Sequence, residues 1–241
     1  MFRTGWGSAA GLLLAIAVAA AQGSAGTPGA VNHTEGEVSL EGKLIPPGSL
    51  EGVAVGAGQT LSTGKGNAEV ILTPGVFLRL GDQTAVKITD TRVDLVRGEA
   101  ILEVVQPVTG HLEIHDGDTR TVPQRAGIYV FHAGKPVVAV TGGNARSRKG
   151  LESDALYVWS EARARAGAQA SIDTAQALVG TNPNTWKGPG WYWNPFYGEW
   201  GFLPATYTLT GPFGETYFSA RFYYTYAGVE SHSHGYFDAA Q

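Results

Sequence analysis

The residues best placed to do chemistry in this 241-residue chain are six histidines, scattered carboxylates and a crowd of rings near the C-terminus. The tightest histidine pair is His232-Ser-His234, with Glu230 and Asp238 nearby. A structural zinc site uses four protein ligands, and the chain has no cysteine, so no metal site is assigned there. The run His115-Asp116-Gly117-Asp118 matches half of a calcium loop but lacks the further oxygens and terminal glutamate, so it reads as a turn. The carboxylate pairs Asp90/Asp94 and Glu99/Glu103 alternate with apolar residues, so they are expected to point to solvent. Glycoside hydrolysis needs two carboxylates converging in a cleft, and no spacing here announces that. Gly-x-Ser-x-Gly, His-Glu-x-x-His and phosphate-cradling loops are absent, and Thr141-Gly142-Gly143-Asn144 is not followed by a Lys-Ser/Thr helix start. The expectation is a protein without catalytic residues, cofactor or bound metal.

The aromatic residues carry the strongest signal. Sixteen of the 25 rings fall between Trp186 and Tyr226, interleaved with Gly and Pro. Each can bury about 150–250 Å². Either this segment folds back over the rest of the chain, or it presents rings to a ligand or partner. Trp and Tyr combine flat apolar faces with polar edges, which suits stacking on sugars and anchoring of interfaces. Trp191, Trp193, Tyr197 and Trp200 are the binding candidates, and in an extended strand Trp191 and Trp193 share one side. The partner implied is an envelope protein or glycan.

These residues need a framework, and the chain supplies one in stages. Arg3 precedes a 13-residue apolar run, Ala9–Ala21, which is shorter than the roughly 20 residues of a membrane-spanning helix. With small residues before Gln22 it reads as a signal peptide over 1–21, cleaved between Ala21 and Gln22, which leaves no membrane span. No cysteine follows for a lipid anchor. The product is expected to be exported to the periplasm, cell envelope or exterior. The net charge of −4 gives no attraction to phosphate, which argues against nucleic-acid binding. Residues 22–36 read as a flexible spacer.

From 37 to 150 apolar pairs recur two residues apart: Val70/Leu72, Leu78/Leu80, Val86/Ile88, Val93/Leu95, Leu102/Val104, Leu112/Ile114, Ile128/Val130 and Val138/Val140. The period of two predicts short strands, each with one face turned inward. Turn residues separate them, among them Pro74-Gly75, Gly81-Asp82, Arg97-Gly98 and Asp116-Gly117. Steps this short leave no room for crossover helices, so a doubly wound fold is excluded. An antiparallel roll or sandwich and a short-stranded β-solenoid both fit.

The stretch LSTGKGNAEVILTPGVFLRLGDQTAVKI, Leu61–Ile88, resembles the signature of FecR-type extracytoplasmic domains. It has the Leu-x-Thr-Gly start, a Glu-bearing strand, Pro-Gly and Leu-Arg-Leu. Arg97-Gly98-Glu99-Ala100 and Ala126-Gly127-Ile128-Tyr129 extend the likeness over residues 36 to about 150. The resemblance implies a mainly β, solenoid-like domain. Members of that family resemble anti-sigma regulators with a cytoplasmic helical domain. Here only Met1–Ser8 precede the apolar run, so that role is not carried over.

Residues 151–180 predict one helix, with Ser153 as N-cap and Leu156, Trp159, Ala162, Ala166 and Ala170 on one face, Arg163 and Arg165 off it. It serves either as a docked cover or as a partner-binding element. An aromatic Gly/Pro-rich segment, 181–228, and a polar tail, 229–241, complete the chain. The function expected is a non-enzymatic envelope protein acting as binding or structural scaffold. The alternatives are a periplasmic sensor module signalling to a separate membrane regulator, and a carbohydrate-active enzyme with unpaired carboxylates.

Overall fold

The structure is a computed structural model that describes residues 28–225 except 47, 49, 109, 142–149, 182–185, 187 and 196. The expected cleavage point at Ala21 and Gln22, the Gly142-Gly143-Asn144 turn and the His232/His234 pair lie outside the described residues.

The fold is mainly β. Its centre is β3 (Thr60–Ile71), which β1 (Ala30–Leu40) follows along one edge. The other edge of β3 is shared end to end by β4 (Val76–Leu80) and β5 (Ala85–Ile88). Beyond β4 come β7 (Glu99–Val104), β10 (Gly127–His132) and β11 (Val138–Thr141). Beyond β5 come β6 (Arg92–Arg97), β8 (Glu113–Asp116) and β9 (Thr119–Thr121), and β2 (Lys43–Leu44) pairs with the end of β1. The turn into β4 is set by Pro74-Gly75, with Gly75 at φ 80° and the Val76 amide donating to Thr73 O at 2.9 Å. That is the left-handed position a type II turn reserves for glycine.

The solenoid arrangement is not what forms. Coils of a solenoid stack parallel strands, whereas every pairing in this sheet except β6 with β8 is antiparallel. The sheet curls into a half-barrel instead. Its concave side holds Leu61, Val70, Leu78, Leu80, Val86, Ile88, Val93, Leu102 and Val104, all at most 1% exposed. The inward pairs expected from the period of two are there, with two exceptions. Ile128/Val130 lie on the opposite face, because Tyr129 and Phe131 fill the interior in their place. Val138 is exposed at the sheet edge.

The spacer expected over 22–36 is also corrected: residues from Ala30 onward are strand. Their polarity hid them, yet Asn32 is only 1% exposed because its amide is used inside the protein.

One long helix, α1 (Ala155–Thr181), follows. Its N-cap is Asp154, whose Oδ1 accepts from the Tyr157 amide at 2.8 Å, and not Ser153. The chain then makes two hairpins, β12 (Gly190–Asn194) with β13 (Glu199–Leu203), and β14 (Thr208–Thr210) with β15 (Thr216–Phe218). Helix and hairpins lie on the convex side of β3, β4, β7 and β10. Those strands are therefore buried on both faces, and all five residues of β4 are inaccessible. Among the described residues no helix is long and apolar enough to cross a membrane.

Candidate functional site

The convex side of the sheet is where charge, rings and the C-terminal elements meet. One residue out of step with the interior, Phe77 and Arg79 project from β4, Ile71 and Glu69 from β3, and Ile101 and Glu103 from β7. The Arg79 guanidinium is 0% exposed and bridges two carboxylates, donating from Nε to Glu69 Oε2 and from Nη1 to Glu103 Oε2, each at 2.7 Å. Glu69 takes two more donors, Asn32 Nδ2 at 2.8 Å and Arg163 Nη2 of α1 at 3.0 Å. Arg163 Nη2 also reaches Glu199 Oε2 of β13 at 2.9 Å, and Glu199 Oε1 meets His33 Nδ1 of β1 at 2.8 Å. Asn32 Oδ1 accepts the Trp200 amide at 2.6 Å. Sheet, helix and first hairpin are thus joined through one chain of charge-assisted hydrogen bonds.

Electrostatics follow from that geometry. Burial alone raises the Glu69 carboxyl, but Arg163 and Arg79 outweigh it and bring it down to about 2. Glu103 goes the other way. Burial raises it strongly, its one cation is shared with Glu69, and Glu215 adds a further carboxylate beside it. The Arg79 guanidinium pulls against both effects, and the Glu103 carboxyl stays well above its ordinary value. Burial also pushes the Tyr217 phenol well up. For His33 burial lowers affinity for a proton, yet the Glu199 hydrogen bond prevails and the imidazole stands above its usual value.

The aromatic segment closes over this network. Trp191 crosses Phe77 edge-on with centroids 4.9 Å apart and donates from Nε1 to Leu72 O at 3.0 Å. Phe202 and Tyr217 pack beside it, with centroids 5.6 Å apart. Of the four binding candidates, Trp191 is 2% exposed and belongs to this core, which removes its ring from any surface. Trp193 and Trp200 are half-buried cross-strand partners in an edge-on pair at 5.4 Å. Tyr197 is 60% exposed near the tip of the same hairpin, its hydroxyl bonded to Asp173 of α1. Trp191 and Trp193 do share one side of β12, facing Phe202 and Trp200 of β13.

Glu103 is a correction to the expectation of solvated carboxylates. It is fully buried because β7 is covered on both faces. Asp90 is exposed, and Asp94 is held by Arg92 at 2.7 Å. The helix face is corrected too: Arg163 is buried, while Ala162 and Ala166 are exposed. The missed signal was the run Val76-Phe-Leu-Arg-Leu, continuous where a one-sided strand would alternate. Such runs mark strands buried on both faces, and a charge inside one requires partners.

Away from this network, Glu99 of β7 and His132 of β10 are directly paired across the sheet, and Asp154 reaches them from the start of α1. Their ligand atoms all lie within 4.8 Å of one another, and each residue is half-buried. Burial and the Asp154 charge push the Glu99 carboxyl up against the opposing pull of His132. At the far end of the sheet Glu113 gathers His115, His111 and Arg120, which hold its carboxyl at about 2. The His115-Asp116-Gly117-Asp118 run is the β8–β9 hairpin, with Asp116 accepting the Gly134 amide.

No family model, no curated protein and no solved structure matches the chain.

Proposed function

We propose that this protein is an exported, non-enzymatic envelope protein in which the curled sheet is a scaffold and the β12–β13 hairpin is the contact surface. The observation that carries the reading is the division of labour among its charged and aromatic groups. Glu69, Arg79, Glu103 and Arg163 are spent on one another inside the molecule, and Trp191, Phe202 and Tyr217 on the cover of the sheet. Of the described rings that reach the surface, which include Tyr207 and Tyr224, Tyr197 and the half-buried Trp193 and Trp200 sit together on one hairpin braced by α1. Rings fixed in this way lose little conformational entropy on binding, a favourable basis for stacking on a sugar or an interface. The resemblance of residues 36–150 to FecR-type domains and the apolar run Ala9–Ala21 support export of such a domain.

The test is affinity capture from envelope fractions on the immobilised protein, compared with a Trp193→Ala/Tyr197→Ala variant. A saturable glycan or protein partner whose recovery falls at least tenfold with the variant supports the proposal. Recovery of no partner, or of one that ignores the hairpin, counts against it.

A further inference from the structure

We propose that Glu99, His132 and Asp154 form a divalent-cation site that ties the sheet to the first turn of α1. The donor set is one imidazole and two carboxylates, a combination suited to Zn²⁺ or Mn²⁺ and unlike the all-oxygen sets of Ca²⁺. The three come from β7, β10 and the cap of α1, so they converge only in the folded chain.

Spacing separates this cluster from the other histidine–carboxylate contacts. His33 meets Glu199 at 2.8 Å and His115 meets Glu113 at 2.7 Å, both hydrogen bonds. His132 Nδ1 and Glu99 Oε2 stand 3.5 Å apart with no hydrogen bond between them. Two ligands about 2.0–2.2 Å from one tetrahedral zinc are separated by about 3.3–3.5 Å, a spacing this ion-pair contact matches, and all three ligand atoms lie within 4.8 Å of one another. Asp154 Oδ1 is committed to the Tyr157 amide, which orients the carboxylate as an outer partner would. The Glu99 backbone is held on both sides, its amide donating to Thr84 Oγ1 at 3.0 Å and its carbonyl accepting from the Gly81 amide at 3.1 Å.

Gly81 supplies the second argument. A Cβ there would fall 2.6 Å from Glu99 Oε1 and 2.8 Å from its Cγ, so a larger residue would make the Glu99 side chain shift away from its present place. The backbone at Gly81 is not in the left-handed region, so a substitution there acts through this contact and not through backbone strain. Three protein ligands leave at least one coordination position for water or a further donor.

The experiment is titration of the full chain with ZnCl₂ and with MnCl₂ by calorimetry at neutral pH, alongside melting curves. One equivalent should bind and raise the melting temperature. Glu99→Gln, His132→Ala and Asp154→Asn should each weaken binding at least tenfold and abolish the rise, with Asn keeping the helix cap. Gly81→Ala should weaken it without removing a ligand. His115→Ala and a His232→Ala/His234→Ala double variant, which remove histidines outside the cluster, should bind as the wild type does. Circular dichroism must show each variant folded, and Asp154→Asn carries the test if another fails to fold. Binding unchanged in folded Asp154→Asn, or no stoichiometric uptake of either ion at 100-fold molar excess, overturns the proposal.

Discussion

Along β4, Val76, Leu78 and Leu80 enter an apolar interior, while Phe77 and Arg79, one residue out of step, meet the helix and hairpins. The two faces of one strand are equally inaccessible, yet they are built differently. The concave side is aliphatic packing, which is non-directional and tolerates exchange among residues of similar volume. The convex side is a mixed layer in which rings supply area and a few charged groups supply direction. Arg79 needs Glu69 and Glu103 in one geometry, and Arg163 brings Glu69 and Glu199 together only when α1 and β13 are both in register. The contrast teaches that burial holds the scaffold together, whereas the charge network decides where the C-terminal cover sits.

The comparison breaks most sharply at Arg79. Arg79→Met leaves Glu69 and Glu103 buried with less compensation, and should cost about 3–5 kcal/mol in urea unfolding. Replacing Glu69, Arg79 and Glu103 together with apolar residues of similar volume should cost less than the single change, because the remaining buried cation, Arg163, keeps Glu199 as its partner. If the triple variant is the worse of the two, the network stabilises by more than mutual neutralisation. On the opposite face Leu78→Ala should cost about 2–5 kcal/mol by lost transfer and cavity, and no second substitution on the convex side should restore it.

A pH series sharpens the contrast further. Glu69 is held at about 2 in the folded chain against 4.5 as its ordinary value. A carboxyl depressed by folding stabilises fully above its unfolded value, and that contribution disappears as pH falls from about 4.5 toward 2. Stability measured by urea midpoint should therefore drop across that window and do so less in Glu69→Gln. Glu103 acts with the opposite sign, since its raised value favours the folded state at low pH and that contribution fades as pH rises through it. Leu78→Ala should shift the whole profile without changing its shape. The smallest effect belongs to the cap: Asp154→Ala should cost about 1 kcal/mol in metal-free buffer and Asp154→Asn almost nothing.

How much of this was legible in the sequence depends on which face is considered. The concave core was, because alternation at Leu78/Leu80, Val86/Ile88 and Leu102/Val104 states one face directly. The antiparallel pairing was not, since stacked coils and antiparallel strands bury the same residues and differ only in which strand neighbours which. The convex side was hidden by its own chemistry. Polar residues such as Asn32, Glu69 and Arg163 signal solvent by type, and only partners distant in sequence, 94 residues apart for Glu69 and Arg163, make their burial possible. The density of rings after Trp186 left a cover and a binding surface both open and did not say that Trp191 would lie beneath the cover and Tyr197 above it. The trio Glu99, His132 and Asp154 carries no motif, because its spacing is set by cross-strand pairing and a helix cap.

The central claim is that α1 is fastened to the convex face through a direct Glu69–Arg163 bond. A double-mutant cycle with Glu69→Gln, Arg163→Gln and the pair, read by urea unfolding, measures that bond across 94 residues of sequence. The structure predicts a favourable coupling of about 0.5–3 kcal/mol. Additive losses, with coupling below about 0.3 kcal/mol, would mean that helix and sheet do not meet there and would contradict the account.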